Sequence, residues 1–121
     1  MENIKDKNIA FLVANGFEEV ELSKPIEALQ EAGANTKIVS IEKDSVTAWD
    51  KTNWGKDYPV DIHINNANAN DFDAIVLPGG QLNPDFLRVN EKAVNFVKEF
   101  AQQNKLIAAI CHGPWTLIEA D

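Results

Sequence analysis

Three short runs of apolar residues, "NIAFLVA" at 8–14, "AIVLP" at 74–78 and "LIAAI" at 106–110, set the strongest limit on what this chain can become. Successive residues of a strand face opposite sides of a sheet, so a run that is apolar throughout must be covered on both. That requirement belongs to parallel sheets, whose crossover helices blanket the two faces. The runs are also of strand length rather than helix length. "TKIVSI" at 36–41 supplies a further strand.

Helical spacing fills the gaps between these strands. Leu22, Ile26, Leu29 and Ala32 recur with helical period, Gly33 reads as the stop, and Pro25 is expected in the first turn. Ala93, Val94, Phe96, Val97, Phe100 and Ala101 mark a second helix, with Asn90 as its N-cap and Glu91 in its first turn. Residues 42–70 differ in character. "VTAW" and "VDIHI" read as short strands joined by a polar connection around "DKTNWGKDYP", forming a hairpin or excursion at the sheet edge. "ANDFD" is read as one turn, and "GPWTLIEAD" as a helix beginning at Gly113 with Pro114 in its first turn. Strands alternating with helices predict a doubly wound α/β fold, mostly parallel, as one domain over residues 1–121. The last helix is cut about two turns in, so the expectation is a domain truncated at its C-terminus.

Composition narrows the function classes. Eleven basic residues against nineteen acidic ones give a net charge of -8, which repels phosphate backbones and anionic lipid surfaces. Neither nucleic acid nor membrane is therefore an expected partner. No stretch reaches the roughly 18 apolar residues of a spanning helix, and "MENIKDKNIA" lacks the layout of a signal peptide. A single cysteine forms no internal disulfide, which fits a reducing compartment, and the expected location is cytoplasmic. A flavin or nucleotide loop after the first strand would be rich in Gly, Ser and Thr. "NGFEE" stands there instead and would repel phosphate. A phospho-acceptor of the receiver type is not expected either, because "AIVL" ends in "PGG" rather than in an aspartate. No cofactor or metal is expected.

In open α/β sheets, ligands bind beyond the carboxyl ends of the strands. Three segments converge there: "NGFEEVE", "PGG" and "CHGP". "AICHG" follows the pattern of a nucleophile elbow, a tight strand-to-helix turn flanked by small residues, here Ala109 and Gly113. A helix N-terminus beneath the sulfur of Cys111 would favour its thiolate. The same residue also reads as a small buried cysteine, and local sequence leaves the two balanced. His112 is a general base or a turn residue pointing elsewhere, the latter being favoured by itself, since adjacent strand residues face opposite ways. Gly79 and Gly80 offer main-chain N–H groups for an oxyanion, with that of His112, or simply end a strand. Glu18, Glu19 and Glu21 form a solvated acidic face or supply one carboxyl to the cysteine. In that role a protonated acid stabilises thiolate and an ionised one opposes it. His63 reads as a structural or surface histidine.

"FLVANGFEEVEL", "FDAIVLPGG", "NPDFLRVNEKAVNFV" and "IAAICHGPW", taken together and in this order, resemble the PfpI intracellular-protease family. That family belongs to the superfamily of class I glutamine-amidotransferase-like proteins, which includes the Parkinson-associated deglycase. The resemblance runs from about Asn8 to the last residue and implies a flavodoxin-like fold with Cys111 as nucleophile. Glu21 matches the glutamate that hydrogen-bonds the sulfur, and Glu18 a second acidic position of the same motif. Gly80 matches the oxyanion glycine, and His112 the catalytic partner of the protease branch. Asp85 stands where that branch has an acidic residue orienting the histidine across a subunit interface, although here it is Asp rather than Glu. The resemblance also implies a homodimer or a larger ring.

Two functions follow as expectations. The first is a cysteine-dependent hydrolase-like enzyme of protease, deglycase or glyoxalase type, acting on a small carbonyl or peptide substrate. The alternative is a stress protein, an oxidation sensor or chaperone-like protein, working through oxidation of Cys111. With no second cysteine to form a disulfide, that route leads to sulfinate or to an external thiol.

Overall fold

The computed structural model describes residues 5–50, 53–79 and 90–109. In chain order the elements are β1 (Asn8–Val13), β2 (Phe17–Glu18), α1 (Glu19–Glu31), β3 (Asn35–Ser40), β4 (Ser45–Asp50), β5 (Asn53–Pro59), β6 (Ile62–His63), two 3-10 turns (Ile64–Asn66 and Ala69–Asp71), β7 (Ala74–Leu77), α2 (Glu91–Gln102) and β8 (Leu106–Ala109). Five strands form one sheet in the order β6-β3-β1-β7-β8, and every neighbouring pair is parallel.

The expected two-sided burial is what β1 shows. Ala10, Phe11, Leu12 and Val13 have no exposed surface. Ala10 and Leu12 join Val39, Ile75 and Leu77 against Ala93, Phe96, Val97 and Phe100 of α2. Ile9, Phe11 and Val13 join Ile38 and Val76 on the opposite side, with Leu22 of α1 and Val46 and Ala48 of β4. The α2 core is aromatic: the Phe96 and Phe100 rings meet edge to face at 5.1 Å, and Phe72 packs against both. Each such side chain contributes about 1.5–3 kcal/mol by leaving water.

The two helices lie on opposite faces because both crossovers have the same hand. β1–α1–β3 steps one way along the sheet and β7–α2–β8 steps the other. The strand order therefore reverses between β1 and β7, which opens a crevice at their carboxyl ends.

Several local expectations needed correction. α1 begins at Glu19, not near Leu22, because Glu19 and Glu21 in its first turn suit the positive end of the helix dipole. Pro25 is consequently the seventh residue of the helix and lies inside it. The buried stripe of Leu22 with Ile26 and Leu29 holds the helix together across the missing N–H. "DKTNWGKDYP" is not a mere connection: residues 53–59 are the antiparallel partner of β4, and β2 pairs parallel with β4 to complete a second, three-stranded sheet. "VDIHI" contributes only the two residues of β6 before turning into 3-10 geometry. β8 is not buried on both faces. It is the outer strand of the described sheet, and its Leu106 is 70% exposed.

The ends of the helices follow capping chemistry. The Asn90 side chain accepts the Ala93 N–H at 2.9 Å, as expected of that N-cap. At the end of α1, the Gly33 N–H donates to the Gln30 carbonyl and the Ala34 N–H to that of Leu29, a Schellman closure. Gly33 has φ +92°, and a Cβ there would lie 3.1 Å from Lys5 Cγ. Gly33→Ala is expected to destabilise the fold by about 1–2 kcal/mol, measured by chemical denaturation with an unchanged denaturant slope.

Candidate functional site

The crevice at the ends of β1 and β7 is built largely from main-chain groups. After β7 the chain runs through Pro78 to Gly79, which is buried. The Gly79 N–H donates to Glu21 Oε1 at 2.8 Å, and the Gly79 carbonyl accepts the Glu18 N–H at 3.1 Å. Both partners belong to the start of α1, whose first turn is thereby docked onto the end of β7. The Gly79 N–H, expected to be available to an oxyanion, is here a donor to the Glu21 carboxyl. Glu18 takes part through its main chain, and its side chain is half-buried.

A second set of contacts braces this junction and was missed in the sequence. Asn15 Oδ1 accepts the Thr47 N–H at 2.9 Å, while its Nδ2 donates to Glu42 Oε2 at 3.2 Å. The Gly16 N–H donates to the Thr47 carbonyl, so both main-chain groups of Thr47 are held by the turn that follows β1. Thr47 is also where the β4–β5 register shifts. Glu42 is anchored by its own N–H, which donates to the buried Ser40 hydroxyl at 3.0 Å. Glu19 Oε1 accepts the Lys56 N–H, tying the helix to β5. "NG" read only as a strand boundary, but an Asn at a strand end is a standing signal for side-chain bonding to the main chain.

Of the seven residues expected at the site, the structure brings together Glu18, Glu21 and Gly79. Cys111, His112, Gly80 and Asp85 lie outside the described residues. His63 is away from the junction. Its Nδ1 accepts the Asn65 N–H, which leaves Nε2 to donate to the Ile41 carbonyl at 3.1 Å, a structural role as expected. Among the described residues, no group of three His, Cys, Asp or Glu side chains is arranged to hold a metal ion. Nor is any described helix long and apolar enough to cross a membrane.

The titration of Tyr58, on β5, departs from its ordinary value. Burial pushes its phenol above 10.0, the negative charge of Glu19 adds to this, and a hydrogen bond with Ser23 opposes it. Tyr58 meets Phe17 edge to face at 5.6 Å, under an open groove of about 650 Å³ between α1 and β3.

The DJ-1/PfpI family matches residues 7–121 of the chain. Deglycase PfpI of Pyrococcus furiosus is 43% identical over 112 residues, 93% of this chain and 64% of that protein. General stress protein 18 of Bacillus subtilis is 39% identical over 118 residues, again covering 94% and 64%. The chain thus spans just under two thirds of the length of these relatives. Among solved structures, a two-domain protein of Anabaena variabilis with DJ-1/ThiJ/PfpI-like and ferritin-like domains superposes with a TM-score of 0.84 at 36% identity, over 94% of this chain and 33% of that one.

Tyr58 is the only tyrosine, so its titration can be followed directly by phenolate absorbance. Its midpoint is expected above 10.0 in the folded protein and back at 10.0 in denaturant. A phenol pKa raised by folding adds stability that is fully present below the unfolded value and is lost as pH rises through the folded one. Tyr58→Phe should remove that part of the alkaline destabilisation.

Proposed function

The chain belongs to the DJ-1/PfpI family, and on that premise we propose that it is a cysteine-dependent hydrolase-type enzyme. Its substrates are carbonyl compounds of the peptide, glycated-adduct or α-oxoaldehyde class. The observation that carries the reading is the Glu21–Gly79 contact, which fixes a carboxyl at the sheet's switch point. The parallel register sets Ala109 beside Leu77. Cys111 follows Ala109 by two residues in the sequence. In this reading an acid from α1 and a thiol that follows β8 serve one crevice.

In this reading the Cys111 thiolate attacks the substrate carbonyl. A C–S bond forms, and the carbonyl π pair moves to oxygen, where the N–H groups of Gly80 and His112 stabilise it. With a peptide or amide substrate, collapse expels the amine, which takes a proton relayed through Glu21 or His112, and water then releases the acyl group as the acid. With an α-oxoaldehyde, attack stops at the hemithioacetal, which has no amine to expel. Asp85 orients His112 across a subunit contact, in a homodimer or larger ring. The name of the Pyrococcus relative supports deglycation as the first activity to assay.

A second reading is favoured by the stress-protein relative. Here Cys111 is an oxidation sensor, going from thiolate to sulfenate and then sulfinate under peroxide.

Cys111→Ala is expected to abolish release of amine from methylglyoxal-glycated peptides, a loss of at least about 10³-fold for a removed nucleophile. Turnover within twofold of the parent would rule out the enzyme reading. Under mild peroxide, mass spectrometry showing no oxygen added at Cys111 would rule out the sensor.

A further inference from the structure

The open groove between α1 and β3 has an apolar floor and an acidic rim. Ile38 is buried at its base, with Ile26 and Tyr58 partly buried beside it. At about 650 Å³ it lies within the size range of ligand sites. Its neutral polar groups are used within the fold. Ser23 hydrogen-bonds the Tyr58 phenol, and Gln30 Nε2 donates to Thr36 Oγ1 at 2.9 Å. What the lining offers a ligand is carboxylate: Glu27 and Glu31 on the helix wall, and Asp61 beyond the end of β5. Asp61 accepts the Ile38 N–H on Oδ2, which anchors it at the rim. No basic residue is among the described residues that line the groove.

Two properties of α1 make these acids unfavourable for the chain alone. Glu27 and Glu31 are four residues apart, a spacing at which like charges neighbour each other on a helix and repel. Glu31 also ends α1, whose last turn carries no basic residue, where the helix dipole favours a cation. Among the described residues no hydrogen bond or ion pair relieves either carboxylate. Lys37 is on the wrong side: it alternates with Ile38, which faces α1, and so shares the face of Val39.

We infer that this groove docks an extended peptide segment bearing arginine or lysine side chains. Such a side chain matches both parts of the lining, with an apolar stem for Ile26 and Tyr58 and a cationic head for the rim. Side chains two apart on an extended strand share one face at a spacing of about 7 Å. One helical turn, which separates Glu27 from Glu31, is about 5.4 Å, so successive heads meet successive acids. Binding removes the repulsion and meets the dipole together, and the same charges repel an acidic or phosphorylated partner. Docking there is independent of any reaction at Cys111.

The probe is a short fluorescein-labelled peptide of alternating alanine and arginine, followed by anisotropy at low salt. Its counterpart carries citrulline for arginine, which keeps the shape and removes the charge. The arginine peptide is expected to bind the parent and the citrulline peptide is not. Glu27→Gln combined with Glu31→Gln should weaken binding about fivefold to thirtyfold, the range for two lost charge pairs. Glu91→Gln combined with Glu99→Gln, on α2 across the sheet, changes net charge equally and should leave affinity within about twofold. The groove variant should melt no lower than the parent, since the removed charges repel; a lower value makes the acids structural and counts against docking. If both pairs weaken binding alike, the acidic surface as a whole attracts the peptide. If citrulline binds as well as arginine, or neither peptide binds, the groove does not read cations. If the parent sediments as a dimer that the groove variant does not form, the groove is a contact between copies. Each of these results overturns the inference.

Discussion

The structure depends on β1 having no wet face. Four of its six residues are wholly buried and Ile9 is 6% exposed, so the strand is stable only if apolar cover arrives from both sides. α1 and α2 supply it, one on each face, and the common hand of the crossovers then sends the chain in opposite directions along the sheet. The crevice between β1 and β7 is the geometric remainder of that arrangement. The position of the crevice is thus set by the burial of Phe11 and Leu12 before any polar residue is considered.

At that crevice the polar contacts are mostly between side chains and main chain. Glu21 receives the Gly79 N–H, Asn15 the Thr47 N–H, Glu19 the Lys56 N–H and Ser40 the Glu42 N–H. Main-chain donors are held in place by the sheet, so they aim a carboxylate without the rotamer cost that two long side chains would bring. In a chain of net charge -8, carboxyl groups are abundant. What is scarce is a rigid donor to hold one, and the strand ends provide it.

Much of the fold was legible because it rests on periodicity. The continuous runs gave β1 and β7, and the 3.6-residue spacing gave both helices along with the Asn90 cap and the Gly33 stop. Legibility failed where a choice depended on a distant partner. "DKTNWGKDYP" is polar enough for a loop and becomes β5 only because β4 lies beside it. Pro25 argued for a later helix start, and the buried stripe below it overrode that local preference. "LIAAI" reads as interior, yet its place at the edge of the described sheet leaves Leu106 in the open. At the site, motif order pointed to Glu18, Glu21 and the glycines. The direction of the Gly79 N–H and the bracing by Asn15 are products of the tertiary turn, and no spacing encodes them.

The 58 positions between Glu21 and Gly79 also tie the site to the history of the chain. Closing a loop of that length costs on the order of 3–4 kcal/mol of entropy, which the pairing of β1 with β7 must return. A partly folded chain that keeps only its first strand–helix–strand unit owns the Glu21 carboxyl and lacks the Gly79 amide that binds it. The contact therefore reports on global topology: it exists when the two wings of the sheet have joined and vanishes with the first opening that separates them.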